Sequence, residues 1–96
     1  MDYDIQAIYE HLHNCYPVVL SSSQSLGYKS EIDFPVLHGH SILGYFELYY
    51  DDISFAFYAM HENKDVFAHF HLETLSDAEK AIANFMDGKL PQLKFN

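Results

Sequence analysis

The stretch Ile42–Leu72 reads ILGYFELYYDDISFAFYAMHENKDVFAHFHL, and the fold turns on how it pairs with itself. Two turn-like clusters interrupt it. Tyr50-Asp51-Asp52-Ile53 reads as a two-residue hairpin, and Glu62-Asn63-Lys64-Asp65 as a second, with Asn63 suited to positive φ. If Tyr50 faces Ile53, then Leu48 faces Phe55 and Phe46 faces Phe57. If Glu62 faces Asp65, then Ala59 faces Ala68, Phe57 faces Phe70 and Phe55 faces Leu72. Both hairpins place the same residues on one side: Phe46, Leu48, Phe55, Phe57, Ala68, Phe70 and Leu72. A slip of one residue would send half of them to the other side, so the pattern specifies an antiparallel meander.

Working outward, amphipathic helices are expected on both flanks. From Asp2 to Tyr16, the residues Ile5, Ile8, Tyr9, Leu12 and Cys15 recur at helical spacing, and Pro17 ends the element. After the meander, Ser76 and Glu79 form a capping box and Gly88 stands at the C-terminal cap position. Ala78, Ala81, Ile82, Phe85 and Met86 make the buried stripe between them. Pro17–Leu20 reads as a strand or a buried connector. Ser21–Ser30 reads as an exposed serine-rich loop. Glu31–Leu37 alternates, with Ile32, Phe34 and Val36 on one side, and Pro35 marks it as an edge strand. His38-Gly39-His40-Ser41 is then the turn into the meander. Leu90–Asn96, with Leu93 and Phe95 around Pro91, is expected to cross the domain as irregular chain.

The order α-β-β-β-β-α, with two helices and one apolar sheet face to hide, predicts an α+β fold. It is a two-layer sandwich of a three- to four-stranded meander carrying both helices on one face. Residues 1–96 suffice for a single domain, and 49% hydrophobic residues supply a core without disulfides, since Cys15 is the only cysteine. The order is similar to the α-β-β-β-α of the double-stranded RNA-binding domain. That family needs lysines at the start of its second helix, where this chain has Ser76, Asp77, Ala78 and Glu79, so the resemblance stops at topology.

The charge excludes several function classes. Fourteen Asp and Glu stand against five lysines and no arginine, for a net charge of −9. Phosphate binding needs clustered basic side chains, so nucleic acid and anionic membranes are not expected partners. A basic protein is. The acidic N-terminus MDYDIQAIYE lacks a signal-peptide pattern and no apolar run approaches the ~20 residues of a membrane span, which predicts a cytoplasmic location.

The side of the meander away from the helices carries Tyr45, Glu47, Tyr49, Ser54, Ala56, Tyr58, Met60, Phe67, His69 and His71. The hairpin registers place Tyr45, Tyr58 and His69 in one row, Glu47, Ala56 and His71 in another, and Met60 beside Phe67. A solvated face normally carries Thr, Lys and Glu. Tyrosine and histidine instead suit contact with another protein or with a second copy of the chain. The binding candidates are therefore Tyr45, Glu47, Tyr49, Tyr58, Met60, Phe67, His69 and His71. The competing reading is that the serine-rich loop or the tail folds over this face.

Six of the seven histidines form His-x-His pairs. On a helix His11 and His13 point about 200° apart, whereas on a strand His69 and His71 share a face. A metal site such as zinc would use His69, His71 and Glu47, converging over the small Ala56. No nucleophile elbow, glycine-rich phosphate loop or carboxylate pair in a cleft is present, and Cys15 belongs to a buried stripe. The expected function is thus a non-catalytic, acidic protein-binding module needing no cofactor, with an immunity- or antitoxin-like inhibitor of a basic bacterial toxin as its specific form. The alternative is a small metal-binding protein or metal-dependent enzyme built on the strand histidines.

Overall fold

The computed structural model describes residues 2–90. Helix α1 (Asp2–Leu12) leads into five strands: β1 (Val19–Ser22), β2 (Pro35–Ser41), β3 (Gly44–Tyr50), β4 (Phe55–Met60) and β5 (Val66–Leu72). Helix α2 (Leu75–Met86) follows. The strands form one antiparallel sheet in chain order, so the α+β class and the meander stand as expected, with five strands where three or four were expected. The connector after Pro17 supplies the extra strand, pairing Leu20 with Leu37 and Ser21 with Val36.

Both helices pack on one face. Ile5 and Ile8 of α1 join Ala78, Ala81, Ile82 and Phe85 of α2 against Leu37, Phe46, Leu48, Phe55, Phe57 and Leu72 of the sheet. At the centre, Phe46 and Phe57 stack with ring centroids 5.6 Å apart, and Phe85 meets both edge-on at 5.7 and 5.8 Å. All three rings are fully buried, each worth about 1.5–3 kcal/mol of transfer free energy. Gly39 lies opposite Phe46, and a Cβ there would come within 3.0 Å of that ring, so its missing side chain makes room for the core.

The β4–β5 pairing is the one expected, from Phe55 opposite Leu72 to Ala59 opposite Ala68. A bulge then sets Met60 against Val66 rather than beside Phe67. In its turn the positive φ falls on Lys64, not Asn63. The β3–β4 pairing differs by two residues. Asp51–Ser54 forms a four-residue connection, closed by the Asp51 amide donating to Ser54 and by the Asp51 carboxylate accepting from the Ser54 and Ile53 amides. Tyr50 therefore faces Phe55, Leu48 faces Phe57 and Phe46 faces Ala59. A shift of two preserves which side each residue occupies but changes its neighbours.

Pro35 and His38–Ser41 are also reassigned. Pro35 opens β2, where a missing amide is tolerated, and β2 is interior, with β1 on one side and β3 on the other. His38, Gly39 and His40 lie within the strand, and the turn is Ile42-Leu43, between Ser41 and Gly44. Gly44 has φ +134, and a Cβ would lie 2.4 Å from the Met60 carbonyl oxygen, so the turn needs glycine there. Ile32 is exposed and outside any strand.

Helix α1 ends at Leu12, earlier than Pro17 implied: the Cys15 and Tyr16 amides both close on the Leu12 carbonyl, and His13 Nδ1 lies 3.1 Å from the Tyr9 and Glu10 carbonyls. Cys15 consequently falls outside the helix and is exposed rather than buried. His11 instead meets Glu79 of α2 at 2.5 Å. The N-cap of α2 is Thr74, whose hydroxyl accepts from the Asp77 amide, two residues before the expected Ser76. Its C-terminus closes as expected at Gly88 (φ +86), with the Gly88 amide on Phe85 and the Lys89 amide on Asn84. The expected course of the tail beyond Leu90 lies outside the described residues.

Candidate functional site

The side of the sheet away from the helices divides into a covered and an open part. Residues 23–34 form the cover. Ser23, fully buried, fastens it: its hydroxyl donates to the Asp33 carboxylate at 2.8 Å and accepts from the Phe34 amide at 3.0 Å. The Ser23 amide also donates to the Phe34 carbonyl. From this base Tyr28 and Phe34 pack on Tyr49 with centroids 5.5 and 5.1 Å away, and the Tyr28 hydroxyl donates to Glu47. The serine-rich segment is therefore a lid over the first half of this face, as the competing reading had it, and not a free loop. Burial and the neighbouring Glu47 push the Tyr28 hydroxyl far above its ordinary pKa of 10.

Tyr45, Glu47 and Met60 are buried, and Tyr49 and Tyr58 are half-buried. Burial, with Glu47 nearby, pushes the Tyr45 hydroxyl up to about 12. Phe67, His69 and His71 are exposed on β5. Of the eight expected contact residues, the open part thus keeps Tyr58, Phe67, His69 and His71, with Tyr49 at its border.

The rows across the sheet follow the longer β3–β4 connection. His38, Glu47, Tyr58 and His69 lie side by side, as do Tyr49, Ala56 and His71, while Tyr45 is flanked by His40 and Met60. Glu47 is therefore not in the row of His71, and its carboxyl is engaged by Tyr28. Among the described residues no three His, Cys, Asp or Glu side chains are grouped to hold a metal ion. The expected set of His69, His71 and Glu47 is not brought together.

What the registers do assemble is a continuous run of rings. Tyr49 stacks on Tyr58 at 5.9 Å, with their hydroxyls 3.3 Å apart. Tyr58 stacks on His69 at 4.2 Å with planes 9° apart, and His69 meets His71 at 4.6 Å. Burial, and after it the neighbouring His71, lower the pKa of His69 below 6.5. This imidazole therefore favours its neutral, stacking form.

His71 ends the run beside the β3–β4 connection. Its Nδ1 is 3.1 Å from Ser54 Oγ and 3.8 Å from Asp51 Oδ2. Serine, histidine and aspartate are thus neighbours, but hydroxyl and carboxylate approach the same ring nitrogen. A nucleophilic triad needs them on opposite nitrogens, so this group is turn structure.

Sequence reasoning missed Tyr28, Phe34, His38 and His40 on this side. The signal for the lid was two aromatics, Tyr28 and Phe34, in a mostly polar segment. For His38 and His40 it was the same strand spacing already recognised in His69 and His71. Compared with known proteins, the chain matches no family model, no curated protein and no solved structure. None of the described helices is long and apolar enough to cross a membrane.

Proposed function

We propose that this chain is a small acidic protein-binding module without catalytic chemistry, which holds a basic protein through the open part of its outer sheet face. The supporting observation is the exposed end of the ring run, where Tyr58 of β4 stacks on His69 of β5 and His71 follows at a tilt, on a strand with no neighbour on its outer side among the described residues. Flat, stacked rings lose little rotamer freedom on contact, which favours their use in interfaces. The net charge of −9 speeds encounter with a cationic partner. An immunity-like inhibitor of a cationic toxin enzyme, acting in the cytoplasm, is the specific form this reading takes.

The test compares wild type with Tyr58→Lys and His69→Ala in partner capture, with retained proteins identified by mass spectrometry and mass in solution measured alongside. A basic protein retained by wild type and lost from both variants, with circular dichroism unchanged, supports the reading. Unchanged capture and unchanged mass in folded variants overturn it.

A further inference from the structure

The ring run has a second end, under the lid. There the chain forms a cleft of about 470 Å³ between residues 28–34 and the end of β3. Its walls include Tyr28, Phe34, Tyr49 and Tyr50, and Asp33, Asp51 and Asp52 stand along it with Lys29 as the single cation among the described residues. The volume suits one large side chain or a small ligand. The rings are set at angles rather than stacked flat, with Tyr28 edge-on to both Phe34 and Tyr49 at 85°.

Two of the carboxylates are held by their own turns. Asp33 accepts from the Gln24 amide and the Ser23 hydroxyl, and Asp51 from the Ser54 and Ile53 amides. Those donors lower both pKa values below the ordinary carboxylate value, so both carry charge at neutral pH. Asp52 is exposed, has φ +76, and makes no hydrogen bond or ion pair among the described residues.

We infer that this cleft receives an arginine side chain of the partner, its guanidinium against the aromatic wall and its N–H groups toward Asp51 and Asp52; this rests on the protein-binding reading. Aromatic faces attract cations, and the planar guanidinium can stack on a ring while still presenting a fork of donors to a carboxylate. A neutral apolar side chain would leave three carboxylates facing one lysine. An ammonium would lose the stacking and the fork. The occupant cannot come from a second copy, because the chain contains no arginine. The cleft therefore specifies a different protein as its partner, one with an exposed arginine.

Three capped tripeptides, Gly-Arg-Gly, Gly-Lys-Gly and Gly-citrulline-Gly, are titrated at low salt into the full chain. Amide and aromatic resonances are followed by NMR. The arginine peptide is expected to shift Tyr28, Tyr49 and Asp52 saturably, with the citrulline peptide about tenfold weaker and the lysine peptide weaker than arginine. Asp52→Asn, which keeps a residue tolerant of positive φ, is expected to weaken the arginine peptide about threefold or more. Equal affinity for arginine and citrulline, equal affinity for arginine and lysine, or no shift at any of the three residues overturns the assignment. The two readings fail separately. Loss of capture in Tyr58→Lys together with no arginine preference leaves the interface and removes the cleft's role.

Discussion

The Tyr28 hydroxyl, carried on the lid, donates to the carboxyl of Glu47 in the central strand, and Glu47 is only 7% exposed. This one bond joins a segment with no regular structure to the middle of the sheet. It also explains how an acidic residue can sit on a buried part of a sheet face, since a buried polar group without a partner is costly.

Removing that donor should therefore cost more than an average surface change. Tyr28→Phe keeps the ring against Phe34 and Tyr49 but leaves the Glu47 carboxyl without this hydroxyl. A loss of about 1–3 kcal/mol is expected from urea unfolding at neutral pH. The double variant Tyr28→Phe with Glu47→Leu should recover part of it, because both polar groups then leave together. Equal stability of Tyr28→Phe and wild type would show that water satisfies the carboxyl.

Acid should weaken the fold before the carboxylates titrate. His38, on β2, lies with Nε2 2.8 Å from Ser21 Oγ, and burial, its largest influence, lowers its pKa below 6.5. His69 is shifted in the same direction. For a base with a lowered folded pKa, the unfolded chain takes up the proton first. The stability is present above the unfolded pKa of about 6.5 and is lost as pH falls through the folded value. Unfolding midpoints in urea should thus fall between pH 7.5 and pH 5, and His38→Gln should flatten that dependence. A dependence as steep in the variant as in wild type would assign the effect to other groups.

Helix α2 offers a test of which residue caps it. Thr74→Ala removes the hydroxyl that accepts the Asp77 amide and should destabilise by about 1 kcal/mol. Ser76→Ala lies inside the helix at an exposed position and should change stability by no more than about 0.5 kcal/mol. Thermal or urea unfolding of the two variants separates them, and the reverse order would restore Ser76 as the cap.

On the outer face of the sheet, reading and structure differ through one connection. Parity tells which residues share a side, because successive strand residues alternate whatever the loop length, and it places Tyr45, Glu47, Tyr49, Tyr58, His69 and His71 on the side away from the helices. Neighbourhood within that side depends on how many residues the turn consumes. Asp51 spends its carboxylate on the Ser54 and Ile53 amides and lengthens the loop by two. That moved Glu47 from the row of His71 into the row of Tyr58 and His69.

What this sequence by itself determines is the alternation and the helical stripes: the meander, its phenylalanine face and the two helices that cover it follow from apolar periodicity alone. Only the tertiary structure decides what lies on the other face. The lid is held by contacts between residues distant in the chain, Tyr28 with Glu47 and Phe34 with Tyr49, and such contacts leave no period in the sequence. They divide the tyrosine face into a closed part, an open edge and the cleft between them.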